Sequence, residues 1–307
     1  MPAQSHVEYG NASAVWPALP FEAWRDTYAT LHMWTQVVGK VCLALTPLTN
    51  HFWNIAFLVT PRGLATHPMS AAGQTITITF DFIEHQLVVL SSNGRVERIA
   101  LAPKTVADFY RELMDLLQRM GAPVRIWTTP VEIPDPIPFE RDTRHQSYDP
   151  AAATTVWRAL LAIEPVLERF RGAFVGKCSP VHFFWGSFDL AVTRFSGERA
   201  PERAGADVIT REAYSHSVIS HGFWPGGAAM PEAAFYAYAA PEPDGLKQAK
   251  VAPAAAYYNT DLSEFILPYE AVRTASDPAG DLARFLQSSY DAAADLAGWD
   301  RANLERR

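Results

Sequence analysis

The chain has 307 residues, nearly half of them hydrophobic, with sparse charged residues and a formal net charge of −7. That is a globular composition with material for one large domain or two ordinary ones. The acidic balance, without any Lys/Arg run, argues against a nucleic-acid surface. No run of 18 or more apolar residues is present to span a membrane, and two cysteines make no disulfide framework.

Residues 1–16 read as a flexible, polar tail with no secretory signal, so a cytoplasmic protein is expected. Phe21 to Val38 reads as the first helix, its apolar side formed by Trp24, Tyr28, Leu31 and Val38, with Gly39 placed to end it. Tyr28, His32 and Gln36 recur every four residues beside that side. Such a polar stripe is either a solvated face or the wall of a cavity. His51 to Thr60 is an apolar run consistent with a buried strand, and Thr75 to Phe82 alternates threonines with Ile76, Ile78 and Phe80. Gln86 to Leu90 and Val96 to Leu101 flank Asn93-Gly94, a hairpin signal. Lys104 to Met120 is an amphipathic helix followed by Gly121. The first half, 17–127, is thus helix, antiparallel sheet, helix.

Residues 128–150 form a proline-punctuated connector whose Val131, Ile133 and Ile137 suggest a path laid against the body. The second half, 151–299, repeats the order: a helix from Ala151 to Phe170 containing Pro165, a long strand from Val181 to Phe195, further strands, and a last helix starting at Asp277-Pro278. Residues 300–307 are a second tail. The second half is the longer, and the excess, about 196–260, reads as an insertion with a role in function.

The halves also share a motif. Val38-Gly39-Lys40 and Cys42 precede His51-Phe52-Trp53; Val175-Gly176-Lys177 and Cys178 precede His182-Phe183-Phe184-Trp185. The fold expected is therefore α+β: two related helix–antiparallel sheet–helix halves, an internal duplication packed as one pseudo-symmetric body.

In the long strand, period-two alternation places Trp185, Ser187 and Asp189 on one face. An Asp in so apolar a strand is costly unless paired or wet. It is either the floor of a ligand pocket or a structural group paired with Arg194, Lys177 or a helix N-terminus. His182 and His216 are the candidate acid–base residues, with Asp189 assisting. The odd spacing of His216 and His221 speaks against a metal pair, and no metal motif is present, so no metal site is assigned. Trp185, Ser187, Arg194, Trp224, Tyr257 and His32 are the candidate ligand-binding residues. Arg62, Arg194, Lys40 and Lys177 suit an anionic group, although their presence in both halves fits a structural role equally. Gly222-Phe223-Trp224-Pro225-Gly226-Gly227 reads either as a mobile flap or as a tight turn plugging the core with aromatics.

The segment His182-Phe183-Phe184-Trp185-Gly186-Ser187-Phe188-Asp189-Leu190-Ala191-Val192-Thr193-Arg194-Phe195-Ser196-Gly197 resembles a bacterial family catalogued as domain of unknown function 5996. So do the residues around Trp34, Val131 to Phe139, Gly222 to Gly226 and Ala256-Tyr257-Tyr258. The resemblance spans nearly the whole chain and implies bacterial origin and a self-contained protein. It supplies no activity, cofactor or catalytic residue. The residues themselves point to an enzyme acting on a small anionic or polar-aromatic metabolite, with a non-catalytic binding protein and a partner-binding module as alternatives. The cofactor is unknown; a small-molecule ligand is the expected partner, with no nucleic acid and no membrane.

Overall fold

The computed structural model describes residues 15–227 and 230–306, so the start of the expected tail lies outside the described residues. The first half consists of α1 (Phe21–Leu45), six short strands and α2 (Val106–Arg119). The strands are β1 (Leu58–Thr60), β2 (Gly63–Ala65), β3 (Met69–Ala71), β4 (Gln74–Asp81), β5 (Gln86–Ser91) and β6 (Val96–Ala100), paired antiparallel in the order β1-β2-β4-β5-β6, with β3 on the other part of β4. The second half runs α3 (Pro150–Gly172), β7 (His182–Phe184), β8 (Asp189–Arg199), α4 (Val208–Ala213), β9 (His216–Trp224), β10 (Ala234–Ala240), β11 (Tyr257–Asn259), β12 (Glu264–Pro268), α5 (Tyr269–Arg273) and α6 (Pro278–Leu296). Its sheet is ordered β11-β12-β10-β9-β8-β7 and is also antiparallel. The protein is an α+β fold.

Local signals account for much of this. Ile76, Ile78 and Phe80 are buried on β4 while the intervening threonines are not, as a half-buried strand requires. Gly94 takes a left-handed φ of 87° in the turn that joins β5 to β6. Thr105 caps α2 by accepting from the backbone N–H of Asp108, and Asp277 caps α6 in the same way through Gly280. The connector lies on the body: Gln36 donates to the carbonyl of Val131 (2.8 Å) and accepts from its N–H (2.9 Å), while Phe139 is fully buried.

Three expectations fail. Gly39 does not end α1, which continues to Leu45. The bare Cα faces the indole of Trp185, and a Cβ there would overlap the ring; this is a packing glycine. His51 to Thr60 is not one strand: Asn50–Ile55 forms a 3-10 turn with His51 and Phe52 left-handed, and extended chain resumes only at β1. Val181 to Phe195 is not one strand either, because the chain reverses at Trp185–Phe188, with Phe188 at φ 58°, to make a hairpin of β7 and β8. Period-two reasoning cannot be carried through that turn. The repeated motif therefore occupies different local structures, Val38-Gly39-Lys40 in a helix and Val175-Gly176-Lys177 in a loop. Residues 196–260, read as an insertion, include β9 and β10 from the middle of the second sheet.

The halves are interlocked. Phe57 and Phe183 exchange both backbone hydrogen bonds (2.8 and 2.9 Å), joining β1 of one sheet edge-on to β7 of the other. From α1, a ring nitrogen of His32 lies 2.8 Å from the carbonyl of Gly186, in the β7–β8 turn. From α3, Trp157 donates to the carbonyl of Thr60 (3.0 Å), in the β1–β2 turn. Each half thus places its first helix on the first hairpin of the other. No described helix is long and apolar enough to cross a membrane.

Candidate functional site

The ladder register of the second sheet sorts its side chains, since cross-strand partners share a face. One row runs His182, Ala191, Gly222, Tyr236, Ile266, Tyr257. Two residues along in one direction lie Phe184, Asp189, Trp224 and Ala234; in the other, Thr193, Ser220, Tyr238 and Glu264. Leu190, Val192, Arg194, His221, Phe223, Phe235 and Phe265 point the opposite way, into the core shared with α3 and α6. Gly222 leaves room for the ring of Tyr236, whose place a Cβ there would take. Trp224 stacks on Tyr236 (centroids 4.4 Å), and Tyr236 on Tyr238 (6.0 Å, 18° between planes). The result is an aromatic stripe over a floor of small residues.

Asp189 is the polar centre of this face. It is buried and accepts hydrogen bonds from Ser187 Oγ (2.6 Å) and from the Tyr236 hydroxyl. It is not an ion-pair partner of Arg194 or Lys177. Burial raises its pKa against the pull of those two hydroxyls. Two further carboxyl groups feel its charge. Burial first, and Asp189 second, push Glu264 up to about 7, and Glu264 Oε2 is buried with no hydrogen-bond partner. Glu132, an exposed residue of the connector, lies over the Cα of Gly186; partial desolvation there, followed by Asp189 and Asp207, pushes it up to about 7. Asp189 thus raises two other carboxyl groups, both displaced chiefly by burial towards neutrality.

The remaining candidates separate. His32 is buried between Gly186 and Phe188, and burial lowers it to about 4; the stripe on α1 is no solvated face. Trp185 sits in the hairpin turn, packed on Gly39 and donating to the carbonyl of Ile55 (2.9 Å). Tyr257 is half-exposed at the sheet edge. His182 is on the face but buried, with neither ring nitrogen hydrogen-bonded; burial lowers it to about 4. His216 stands at the far end of the face, beside His51. Phe223 and Trp224 end β9 rather than forming a flap; Phe223 is core and Trp224 is stacked.

Arg194 is on the wrong side of the sheet to reach a ligand held by Asp189. Its guanidinium is enclosed by Phe170 (3.5 Å to the ring centroid), Tyr290 (4.3 Å) and Phe174 (5.0 Å) and donates to the carbonyl of Phe170. We expect Arg194→Ala to cost about 2–4 kcal/mol in urea unfolding through lost packing, and Arg194→Met much less, because the methionine chain refills the cage. A ligand-binding role would instead appear as weaker binding with stability unchanged. Arg62 and Lys40 are also engaged elsewhere: Arg62 pairs with Asp81 (2.7 Å), and Lys40 lies over the ring of Trp127 (4.3 Å).

A model of the family of unknown function DUF5996 matches residues 16–306. The chain belongs to that family. No curated protein and no solved structure matches it. In this DUF5996 chain no group of three or more His, Cys, Asp or Glu side chains placed to hold a metal occurs among the described residues. A surface concavity of about 400 Å³ lies away from the acidic face, lined by Phe82, Ile83, His85, Thr154, Trp157, Arg158 and Leu161.

Sequence reasoning includes neither Glu132 nor Glu264 among the expected site residues. Glu264 does carry a signal, as an acid heading the apolar run Phe265-Ile266-Leu267. Glu132 carries none, because only the docking of the connector on Gln36 brings it over Gly186.

Proposed function

We propose that this protein is an enzyme that moves a proton on a small polar-aromatic metabolite bound at the Asp189 face. The observation that carries the reading is the unpartnered, buried Oε2 of Glu264, in a face already organised by Asp189, Ser187 and Tyr236. Buried polar atoms without partners are rare and call for an explanation; a ligand hydrogen-bonded in use is one. A carboxyl group held near 7 is matched to acid–base work at neutral pH. Burial first, and Asp189 second, raise the affinity of Glu264 for its proton, while the Trp224–Tyr236–Tyr238 stripe offers flat surfaces for a ring. The acids Asp189 and Glu264 on this face favour a neutral or amine-bearing ligand over an anionic one. Neither His182 nor His216 is retained as the leading proton carrier.

The test starts with native mass spectrometry of the purified protein, followed by thermal-shift screening of aromatic amines and neutral heteroaromatics. With a ligand found, Glu264→Gln is expected to retain binding within a few-fold and to lose turnover by about 10²–10⁴-fold. Unchanged turnover in Glu264→Gln ends the assignment. Binding without turnover in the wild-type protein supports instead a sensor or carrier, the reading that the aromatic stripe favours. We also read the halves as copies of one unit, a view supported by their common helix–meander–helix order and reciprocal helix-to-hairpin contacts.

A further inference from the structure

At the far end of the same sheet face, remote in the ladder from Asp189, a lysine meets a histidine that is held in place by Glu212. The main chain at His51 and Phe52 is left-handed, with φ of 55° and 60° at two successive residues that carry side chains. Such backbone persists only where its surroundings enforce it, and it concentrates at functional positions. Here the enforcement comes from Glu212. Its carboxylate accepts from the backbone N–H of His51 (3.0 Å), and its carbonyl oxygen lies 2.8 Å from His51 Nδ1. A carbonyl only accepts, so Nδ1 carries the proton and Nε2 of the neutral ring is bare. Lys177 Nζ sits 2.6 Å from that Nε2.

The surroundings are aromatic. The His51 ring stacks on Phe195 (4.5 Å, 29°), and Lys177 Nζ lies 4.7 Å from the Phe195 centroid and 5.8 Å from that of Trp53. His216 approaches His51 edge-on at 6.0 Å. An amine whose hydrogen-bond partner is a bare ring nitrogen, with flat apolar walls beside it, has what carbonyl capture needs. We infer that Lys177 is a nucleophilic amine that forms an imine with a small aldehyde or ketone, with His51 as its proton carrier. The neutral amine attacks the carbonyl carbon through the nitrogen lone pair, and the C=O π electrons move to oxygen. One proton of the resulting ammonium passes through His51 Nε2 to the alkoxide, giving the carbinolamine. The remaining N–H proton follows by the same route to the hydroxyl as the nitrogen forms the C=N bond. Water leaves, so amine and carbonyl give imine and water without any oxidant or reductant. Burial lowers the basicity of Lys177, consistent with that role.

The experiment uses the full-length protein with benzaldehyde and sodium cyanoborohydride near pH 7, which reduces an imine to a stable benzyl amine, located by peptide mapping. We expect Lys177 to be labelled about tenfold faster than Lys104, Lys247 or Lys250, because His51 Nε2 lies within reach to take up the proton released by the attack. Lys40, also lowered by burial, to about 8, but without a histidine partner, is the internal control and should lag behind Lys177. His51→Gln should bring Lys177 down to the rate of the surface lysines. Glu212→Ala, which removes the side-chain acceptor of the His51 N–H and so loosens the segment that holds the ring beside Lys177, should slow it and gives a second reading should His51→Gln fail to fold. Equal labelling of all the lysines, or Lys177 labelling unchanged in a folded His51→Gln or Glu212→Ala protein, overturns the inference. The acid–base proposal for Glu264 is untouched by either result.

Discussion

Replacing Gly39 by alanine is expected to destabilise the protein by about 2–3 kcal/mol, although the same change in an exposed helix interior gains roughly 1 kcal/mol. The reversal follows from geometry. Gly39 is buried within α1, and the space where its Cβ would go is occupied by the indole of Trp185. The Nε1 of that ring, one of the atoms the Cβ would meet, donates to the carbonyl of Ile55, so the ring has little freedom to withdraw. Urea unfolding measures the effect, as a lower midpoint with an unchanged slope. The Trp185→Ala background supplies the control: there the added methyl fills part of a cavity, and Gly39→Ala should become neutral or stabilising. Equal effects in the two backgrounds would show that the contact does not matter. Because Trp185 belongs to the β7–β8 turn, this one contact ties the first helix of the chain to the hairpin that positions Asp189.

The second large effect is in the dependence of stability on pH, where two sets of buried groups oppose each other. His32 and His182 are lowered to about 4 and His221 to about 3, all chiefly by burial. The unfolded chain therefore binds protons first, and stability present above pH 6.5 is lost as pH falls towards 4. Glu264 is displaced the other way. Its contribution is fully present below about pH 4.5 and is lost as pH rises towards 7. The difference between Glu264→Gln and wild type should therefore grow from near zero at pH 4.5 to about 3 kcal/mol at pH 8, with the variant the more stable. His182→Phe should mirror it, with an advantage over wild type that grows only as pH drops below 6.5. It also removes two buried nitrogens that have no partners. Chemical denaturation across pH 4–8 checks both curves. A Glu264→Gln difference that stays flat with pH would mean that this carboxyl titrates normally and is unsuited to the role proposed for it.

The clearest success of the sequence is in elements whose rules are local. The β4 alternation, the Asn93-Gly94 turn, the stripe of α2 and the cap at Asp277 each involve residues within a few positions of one another, and each appears close to where it is read. The α+β class followed from these. That His216 and His221 do not work as a pair followed from parity alone, and His221 is indeed turned to Ser289 in the core.

What local rules could not supply were effects of distant partners. Gly39 looks like a helix stop because its reason for being glycine, Trp185, is far away in the chain. The strand expected at 181–195 breaks at Phe188, and the one expected at 51–60 gives way to a turn held by Glu212. Arg194 reads as an anion clamp until the fold encloses it in three aromatic rings. The acidic site is the extreme case: Glu132, Asp189 and Glu264 lie on a connector and two non-adjacent strands, and nothing in their spacing links them. Sequence determined which stretches form helix and strand, through periodicity and capping over a few residues. Tertiary structure alone decided which charges meet, because burial and mutual repulsion depend on distance in space, not along the chain.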